Sequence, residues 1–350
     1  MKTMFTSTSG IAEATRLTMM KLQSQLVNAQ KEVSTGRYAD VGATLGSRTG
    51  QTVSLRQELT RLQAMIDSNG SVATRMDATQ SALKGIGADA QAFLNQLAAA
   101  PNSDVQSILQ GQGKSALSAL IGTLNTQING AFLFAGINAD VKPIANYDQS
   151  PPASNRQAVA DAFFTTFGFS QSDPQVATIS PGAMQAFLDT SFADIFADAG
   201  WKSTWSSASD QNVRSRISTS ELIDTSANAN DEAIRKLASA YTMVADLGTA
   251  NLSQAAFQKV VDKSMQLAAE AIQGLTMVQA SLGSTQQRVA NANSRMTIQS
   301  DIMTKHIGAL EGVDPYEAST RLSALMTQVE TAYAMTARIQ RLTLLNHLPI

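Results

Sequence analysis

The sequence has no cysteine among its 350 residues. Disulfide bonds and thiolate-based metal or redox chemistry are therefore excluded. Histidine is almost as scarce, since His306 and His347 are the only two in the chain. A histidine-rich metal site is ruled out as well. We accordingly expect a protein with no metal and no cofactor.

Aromatic residues make up only 5% of the chain, which favours long, thin helices over a thick globular core. The net charge of −2 gives no basic surface for nucleic acid. No apolar run approaches the roughly 18 residues that a membrane helix needs. The N-terminus also lacks the apolar core of a secretory signal peptide. We expect protein partners, with no nucleic acid, no membrane span and no Sec-type export.

Heptad periodicity is the main feature that the sequence does contain. From Phe257 to Val313, apolar or small residues recur at alternating steps of four and three, which predicts one long helix with a coiled-coil seam. Gln299 and His306 fall in this seam, where a polar side chain sets the register of a helix pair. A second seam from Leu55 to Leu97 has the same spacing and predicts a second rod.

Glycine and proline mark the ends of the predicted helices. A first helix ends at Gly36, and residues 36–50 contain four glycines that predict an irregular connector. Pro101 ends the second rod, and residues 102–104 supply a cap for a third helix. We predict that this third helix ends at Gly130.

The composition changes between residues 139 and 230. Five of the eight prolines lie between 143 and 181, and both tryptophans and seven of the twelve phenylalanines lie between 163 and 205. We therefore predict a small insert with its own aromatic core. Its predicted elements are short helices near 156–166 and 183–197, and strands or a hairpin near 175–180 and 213–225.

The chain begins and ends with narrower amphipathic helices. Each carries one thin apolar stripe, which recovers too little free energy to offset the roughly 1–2 kcal/mol per residue that ordering costs. Segments of this kind order when they pack against a partner, so we predict that the two stripes form an assembly interface between copies. The interface residues are Met19, Leu22, Leu26, Ala29, Val33, Leu322, Leu325, Val329, Ala332, Ile339, Leu342 and Leu345.

Together these patterns predict a mainly α fold. Long antiparallel, coiled-coil-like helical rods come from both chain ends, and a small α+β insert domain lies in the middle of the sequence. Residues 1–50 and 314–350 are predicted to form terminal inner-core helices. Residues 51–138 and 231–313 form the helical rod domain, and residues 139–230 form an outward-facing insert domain.

No segment carries a complete catalytic motif. The stretch Gly111–Ser115 resembles the end of a phosphate-binding loop, but Ile108 occupies the position where that motif requires its first glycine. No HExxH zinc motif occurs. Carboxylates are scattered without a close pair in an apolar cluster, which gives acid-base catalysis no basis. We expect a protein that is not an enzyme and has no catalytic residues.

Four segments resemble motifs of the flagellin superfamily. KEVSTGR at 31–37 is similar to the S-T-G-[KR] end of the first helix, and NGAFLFAG at 129–136 is similar to the N-G-x-[FY]-L-F-x-G stretch of the members that join hook to filament. EGVDPYEA at 311–318 resembles the D-x-D-x-x-E-A joint, with Gly312 in place of the first Asp. ARIQRLTLL at 337–345 resembles the closing helix A-R-I-x-x-x-S-L-L-N.

The resemblance covers residues 5–136 and 250–347 and leaves the insert unmatched. It implies export through the flagellar type III system, assisted by an export chaperone, and an extracellular location in the bacterial flagellum. It also implies that the terminal helices become ordered when a subunit joins the growing structure. The expected role is a structural adaptor ring between hook and filament. Its expected partners are copies of itself, a neighbouring hook-associated protein on the hook side and flagellin on the filament side.

Two alternatives stay open. A filament-forming flagellin would share the terminal motifs, although DVG at 40–42 replaces the paired acidic signal that flagellins carry there. A cytoplasmic coiled-coil binding or signalling protein, with the insert as its ligand domain, would share the rods. The first alternative predicts filament growth from pure protein, and the second predicts that both termini resist proteases.

Overall fold

The computed structural model describes residues 8–99 and 106–345. Helices dominate these residues, as the sequence predicts, and short strands form two antiparallel hairpins. The helices are α1 (Thr8–Thr35), α2 (Val41–Leu45), α3 (Thr49–Ala98), α4 (Gln106–Leu124), α5 (Ser154–Phe167), α6 (Pro181–Asp189), α7 (Ser191–Phe196), α8 (Asp198–Thr204), α9 (Glu232–Asp246), α10 (Gln254–Glu311) and α11 (Pro315–Leu345). The strands are β1 (Gln127–Ile128) paired with β2 (Ala131–Phe132), and β3 (Arg214–Arg216) paired with β4 (Leu222–Asp224).

The chain forms two compact units. The terminal unit contains the chain up to Ala64 and from Arg295 onward, and the central unit runs from Met65 to Ser294. Helices α1, α2 and α11 belong to the terminal unit, whereas α4 to α9 and both hairpins belong to the central unit. The long helices α3 and α10 contribute residues to both units.

In the terminal unit, α1 and α11 pack side by side in antiparallel orientation. Gln23 of α1 bonds to Tyr333 of α11, while Glu32, further along α1, bonds to Arg321, which lies earlier on α11. Pairing lets the predicted apolar stripe of each helix shelter part of the other from water.

The first part of α3 and the last part of α10 also pair in the terminal unit, where Arg56 bonds to Glu311. Ile307 of α10 is buried, whereas His306 and Gln299 are exposed. The prediction that both polar residues lie in the seam is therefore wrong. An α-helix has about 3.6 residues per turn and drifts by about 20° per heptad, and this drift moves the buried position from His306 to Ile307.

In the central unit, the remaining parts of α3 and α10 run antiparallel. Asn69 bonds to Asn293, and Asp77, further along α3, bonds to Gln286, which lies earlier on α10. Helix α9 packs against α4, and eleven of its 15 residues are buried. A helix that is buried around most of its circumference forms the centre of a core, which is the position of α9 in this unit.

An aromatic cluster links α5 to α8 in the central unit. Neighbouring rings in it have centroids between 5.0 and 6.2 Å apart. Its members are Phe163, Phe187, Phe192, Phe196, Trp201 and Trp205. The cluster is continuous with buried residues of α4, α9 and α10. The aromatic residues of the insert and the helices of the central unit therefore share one hydrophobic core, and the prediction that the insert has a core of its own is wrong.

The secondary structure of the insert follows the prediction with two exceptions, one of which is α8 (Asp198–Thr204), a helix that was not predicted. The hairpin and the helical regions occur at the predicted positions. The segment near 175–180, predicted to be a strand, is instead a 3-10 helix at Pro174–Thr178. Proline at its first position and Asp173, whose side chain accepts a hydrogen bond from the N–H of Gln175, both favour a helical turn.

Two loops differ from the prediction. Helix α4 ends at Leu124 and not at Gly130. Asn129 and Gly130 have positive φ values of 52° and 81° and form the turn between β1 and β2. Asn-Gly is the preferred sequence for such a tight hairpin. The connector at 36–50, predicted to be irregular, contains α2, which the side chain of Asp40 caps.

The predicted rods are present as α3 and α10, and no glycine interrupts either helix. Two expectations, the helix end at Pro101 and the cap at 102–104, lie outside the described residues. Among the helices of the described chain, none combines the length and the apolar character needed to cross a membrane.

Candidate assembly surface

Two of the three segments in the terminal unit that resemble flagellin motifs, at 31–37 and 311–318, meet at a joint. Gly36 follows the end of α1 with a φ of +66°, a conformation that favours glycine. Its carbonyl accepts a hydrogen bond of 3.1 Å from the N–H of Val313. Beside it, Arg37 and Gly312 form an isolated antiparallel bridge. The joint thus connects the end of α1 to the segment between α10 and α11.

A buried carboxylate lies in this joint. Glu311 is only 1% exposed, and Arg56 Nε donates a hydrogen bond of 2.8 Å to Oε1 while Arg56 Nη2 donates to Oε2. Arg37 Nη1 lies 3.7 Å from Oε2. The hydrogen bonds from Arg56 lower the pKa of Glu311 below its ordinary value, and the two arginine charges act in the same direction, whereas burial opposes them. Glu311 is therefore ionised at neutral pH.

A second carboxylate ties α1 to α11. Glu32 Oε2 forms an ion pair of 3.2 Å with Arg321, and its Oε1 accepts a hydrogen bond from the N–H of Ala39. Arg321 also pairs with Glu317 one turn earlier on α11. Glu32 bonds both to a backbone N–H of the connector and to an arginine of α11. It therefore holds the start of the connector against α1 and α11.

The start of α11 is set by Asp314. Its Oδ1 accepts hydrogen bonds from the N–H groups of Tyr316 and Glu317, at 2.8 and 3.3 Å. Pro315 then occupies the first helical position, where its missing N–H costs nothing. The Asp314–Pro315 step within the segment that resembles the family's joint motif is thus a capped helix start, and the buried Ala318 anchors the first turn.

The pair α1–α11 covers part of each predicted assembly stripe. On α1, Ala29 is buried, Val33 is exposed, and the remaining three are half-buried, namely Met19, Leu22 and Leu26. On α11 the half-buried members are Leu322, Leu325, Val329 and Ala332. The last three predicted residues lie on α11, but their side chains are outside the described part, namely Ile339, Leu342 and Leu345.

Other apolar residues of this pair remain open to solvent and were not predicted from the sequence. Val27 is 61% exposed, Tyr333 50% and Met20 46%, and Met326 and Met335 are exposed as well. Four of these residues could have been recognised in the sequence by a spacing of seven, which separates Met20 from Val27 on α1 and Met326 from Tyr333 on α11. The prediction of only one stripe per helix left this second set out. Clustered exposed apolar residues mark a surface that binds a partner.

The NGAFLFAG segment at 129–136 lies in the central unit. Phe134 is fully buried, and Ala135 forms an antiparallel bridge with Asn228. Gly136 has a φ of +62°, and a Cβ atom there would lie 2.5 Å from the carbonyl oxygen of Gln211. Residues 133–136 of the segment are therefore held by close packing, whereas the turn at Asn129 and Gly130 is exposed.

A polar groove with a volume of about 500 Å³ lies beside the β3–β4 hairpin and α10 in the central unit. Its arginines already have acidic partners, because Arg288 pairs with Glu221 at 2.8 Å and Arg214 pairs with Asp224 at 3.4 Å. No group of metal-ligating side chains occurs within residues 8–99 and 106–345. The exposed apolar surface of α1 and α11 is therefore a stronger candidate for function than this groove.

Two flagellin family models match the chain. Residues 6–139 match the bacterial flagellin N-terminal helical region, and residues 265–348 match the bacterial flagellin C-terminal helical region. Together they span more than half of the chain. No curated protein sequence matches it significantly.

A solved structure from Vibrio parahaemolyticus, described as that of a flagellar hook-associated protein, has a similar fold. The match covers 75% of this chain and 97% of that chain, with a TM-score of 0.51 and 9% sequence identity. At this identity the match establishes a shared fold, and the two flagellin regions establish the family. The chain belongs to the flagellin family and is a structural component of the bacterial flagellum.

Proposed function

We propose that this protein is the hook–filament junction protein, the family member called hook-associated protein 3. Its copies form an adaptor ring between a hook that bends and a filament that stays stiff. The observation that carries the proposal is the α1–α11 pair, which joins the two ends of the chain and leaves apolar residues such as Val27 exposed. An apolar surface of this kind is stable when neighbouring copies cover it.

Each part of the chain has a role in the proposed ring. Residues 1–50 and 314–350 form the inner core, and the predicted stripes on α1 and α11 contribute to contacts between copies. Residues 51–138 and 231–313 form the rod domain, and residues 139–230 face outward. The narrow stripes support this division, because helices with so little apolar surface gain stability from neighbours.

Three features favour a junction protein over a filament subunit. The segment 129–136 resembles the corresponding stretch of junction members, and its Phe134 and Gly136 are built tightly into the central unit. The similar Vibrio structure is described as a hook-associated protein. Residues 40–42 lack the paired acidic signal of filament flagellins.

The proposed partners follow from this position. One face of the ring contacts a neighbouring hook-associated protein on the hook side, and the other contacts flagellin on the filament side. The protein reaches this site through the flagellar type III system with the help of an export chaperone. A chain without disulfides supports this route, because nothing in the sequence requires oxidative folding.

A filament-forming flagellin is the second candidate. The observation that favours it is that both matched family regions are those of flagellin itself. Purified protein distinguishes the two candidates. In a kosmotropic salt such as ammonium sulfate, which strengthens apolar association, a flagellin grows long filaments, and a junction protein forms none.

Immunogold labelling of intact flagella tests the proposal directly. An antibody raised against residues 139–230, the proposed outward-facing part, should label one spot at the distal end of the hook. Hooks from a strain that lacks the gene are the matched control and should carry no label. Gold along the whole filament would establish the flagellin alternative, and flagella without label in the wild-type strain would refute both.

A further inference from the structure

We infer that neighbouring copies dock side by side through opposite flanks of the α1–α11 pair, so that Lys21 of one copy meets Glu330 of the next. The inference rests on the proposed assembly of copies and adds which surfaces meet. It assigns a second copy of this chain as the partner that covers the exposed apolar residues.

One flank is located by the hydrogen bond of 2.7 Å that Gln23 Nε2 donates to Tyr333 Oη. Successive residues of an α-helix are about 100° apart around the axis. Residues three, four or seven positions away therefore lie within about 60° of Gln23 or of Tyr333. We call this set the apolar flank, and its members are Met20, Gln23, Val27, Met326, Glu330 and Tyr333.

The opposite flank is located by the same geometry. Lys21 is two residues from Gln23, and Met335 is two residues from Tyr333, so each lies about 200° around its helix. Met335 is 60% exposed, and Lys21 is exposed. Because the helices are antiparallel, Lys21 and Met335 lie at the same level along the pair. We call this surface the lysine flank.

The charges of the two flanks are complementary. Glu330 on the apolar flank and Lys21 on the lysine flank are both exposed, and neither has an ion-pair partner among the residues that the structure describes. By contrast, Arg321 and Glu32 on the same helices satisfy each other. Near the proposed contact, one flank of the pair thus presents the unpaired Glu330 and the other the unpaired Lys21, while Lys31, one turn beyond Val27, donates a hydrogen bond through Nζ to the carbonyl of Ala39.

The distances along the helices allow these charges to meet between copies. At about 1.5 Å per residue, Lys21 and Glu330 differ by about 7 Å in level along the pair. Two long side chains and a stagger of about one helical turn between copies cover that difference. Met335 of the first copy then lies closest in level to Tyr333 and Val27 of the second.

Contact between opposite flanks also explains how a closed structure arises. A copy that uses its lysine flank still exposes its apolar flank, so the next copy binds in the same way. Such head-to-tail contacts close into a ring or continue as a helix, depending on the rotation between copies. A contact between identical flanks would instead stop at a dimer and would place Glu330 near Glu330.

Charge reversal tests the contact. The variants Lys21→Glu and Glu330→Lys, and the double variant that carries both, are expressed in a strain that builds hooks but lacks its own copy of the gene. The measured quantity is the ratio of protein retained in isolated flagella to protein released into the medium. We expect each single variant to lose retention by about tenfold, because like charges then meet, and the double variant to regain most of it.

Lys142→Glu is the matched control, because Lys142 is an exposed lysine of the outward-facing insert, and its reversal should leave retention unchanged. Circular dichroism of the released proteins checks that the variants fold. If a reversal prevents folding, Lys21→Gln and Glu330→Gln replace it, and each should lower retention by a smaller factor. Unchanged retention in both single variants, or a double variant no better than the singles, overturns the contact. Absence of the wild-type protein from flagella overturns the proposed function instead.

Discussion

Arg56 and Glu311 are 255 positions apart in the sequence and form a two-point ion pair in the terminal unit. The Glu311 side chain is 1% exposed, whereas that of Arg56 is 49% exposed. The pair connects the start of α3 to the end of α10, next to the bridge between Arg37 and Gly312. A buried carboxylate that loses its arginine keeps the cost of desolvation without the compensating charge. The two halves of the pair should therefore respond differently to substitution.

We expect Arg56→Ala to destabilise the terminal unit more than Glu311→Gln does. Arg56→Ala leaves Glu311 buried with only Arg37 nearby, and should cost about 2 kcal/mol. Glu311→Gln removes the buried charge but keeps an acceptor for Arg56, and should cost about 1 kcal/mol. Both losses of stability are measured as free energies of unfolding in urea, with the unfolding monitored by hydrogen exchange of the α3 and α10 amides. The double variant, Arg56→Ala with Glu311→Gln, should lose less unfolding free energy than the two single variants lose in total. Strictly additive losses would show that the two side chains are not coupled.

The stability of the joint should depend on pH in a defined window. The pKa of Glu311 is lower in the folded protein than its ordinary value near 4.3. Its contribution is therefore complete above about pH 4.3 and is lost as the pH falls from there through the pKa of the folded state. Thermal unfolding of the wild type and of Glu311→Gln, measured between pH 7 and pH 3, should show a difference that shrinks only below that value. A constant difference would contradict the assignment.

The long helices could be predicted because heptad spacing is a local property of the sequence. The seams that define α3 and α10 are visible without knowing what either helix packs against. The error at Gln299 and His306 arose from extending an ideal seven-residue repeat along a helix that turns every 3.6 residues or so. Periodicity thus identifies a long helix more reliably than it identifies the buried residue near the end of that helix.

The details of the joint could not be predicted, because they depend on partners far apart in sequence. Nothing near Arg56 indicates that it will meet Glu311, and nothing near Glu32 indicates that it will meet Arg321. The apolar flank is different, because the spacing of Met20 and Val27 is visible in the sequence alone. Its prediction failed because a helix was assumed to have one functional stripe, which does not hold for a helix that contacts several neighbours.

We expect Gly136→Ala to destabilise the central unit strongly. A Cβ atom at this position would lie 2.5 Å from the carbonyl oxygen of Gln211 and 2.6 Å from that of Ser209, and the φ of +62° disfavours alanine. Both contacts are with backbone atoms, so relief requires movement of the chain, at a cost of about 3 kcal/mol. Differential scanning calorimetry measures the change in unfolding temperature.

Gly122→Ala is the matched control for Gly136→Ala. Gly122 lies within α4, and a Cβ atom there would have no neighbour within 4 Å other than its own helix and chain neighbours. Alanine favours a helix over glycine by up to about 1 kcal/mol. This variant should therefore be as stable as the wild type or slightly more stable. Equal destabilisation by the two substitutions would show that Gly136 is not specially constrained.

Deleting residues 322–350 should abolish incorporation into the flagellum and leave the rods largely helical. The deletion removes α11 from Leu322 onward and with it the partner of α1, whereas α3 and α10 retain each other, as the Asn69–Asn293 hydrogen bond in the central unit indicates. Purified protein added to cells that carry exposed hooks avoids any effect on export, and Lys142→Glu, a change at an exposed position of the insert, serves as control. Circular dichroism should show a loss of helical signal no greater than the helix contributed by α1 and the deleted residues. A collapse of the helical signal would mean that the rods depend on the terminal helices for their fold, and the two could not then act as separate parts of the assembly.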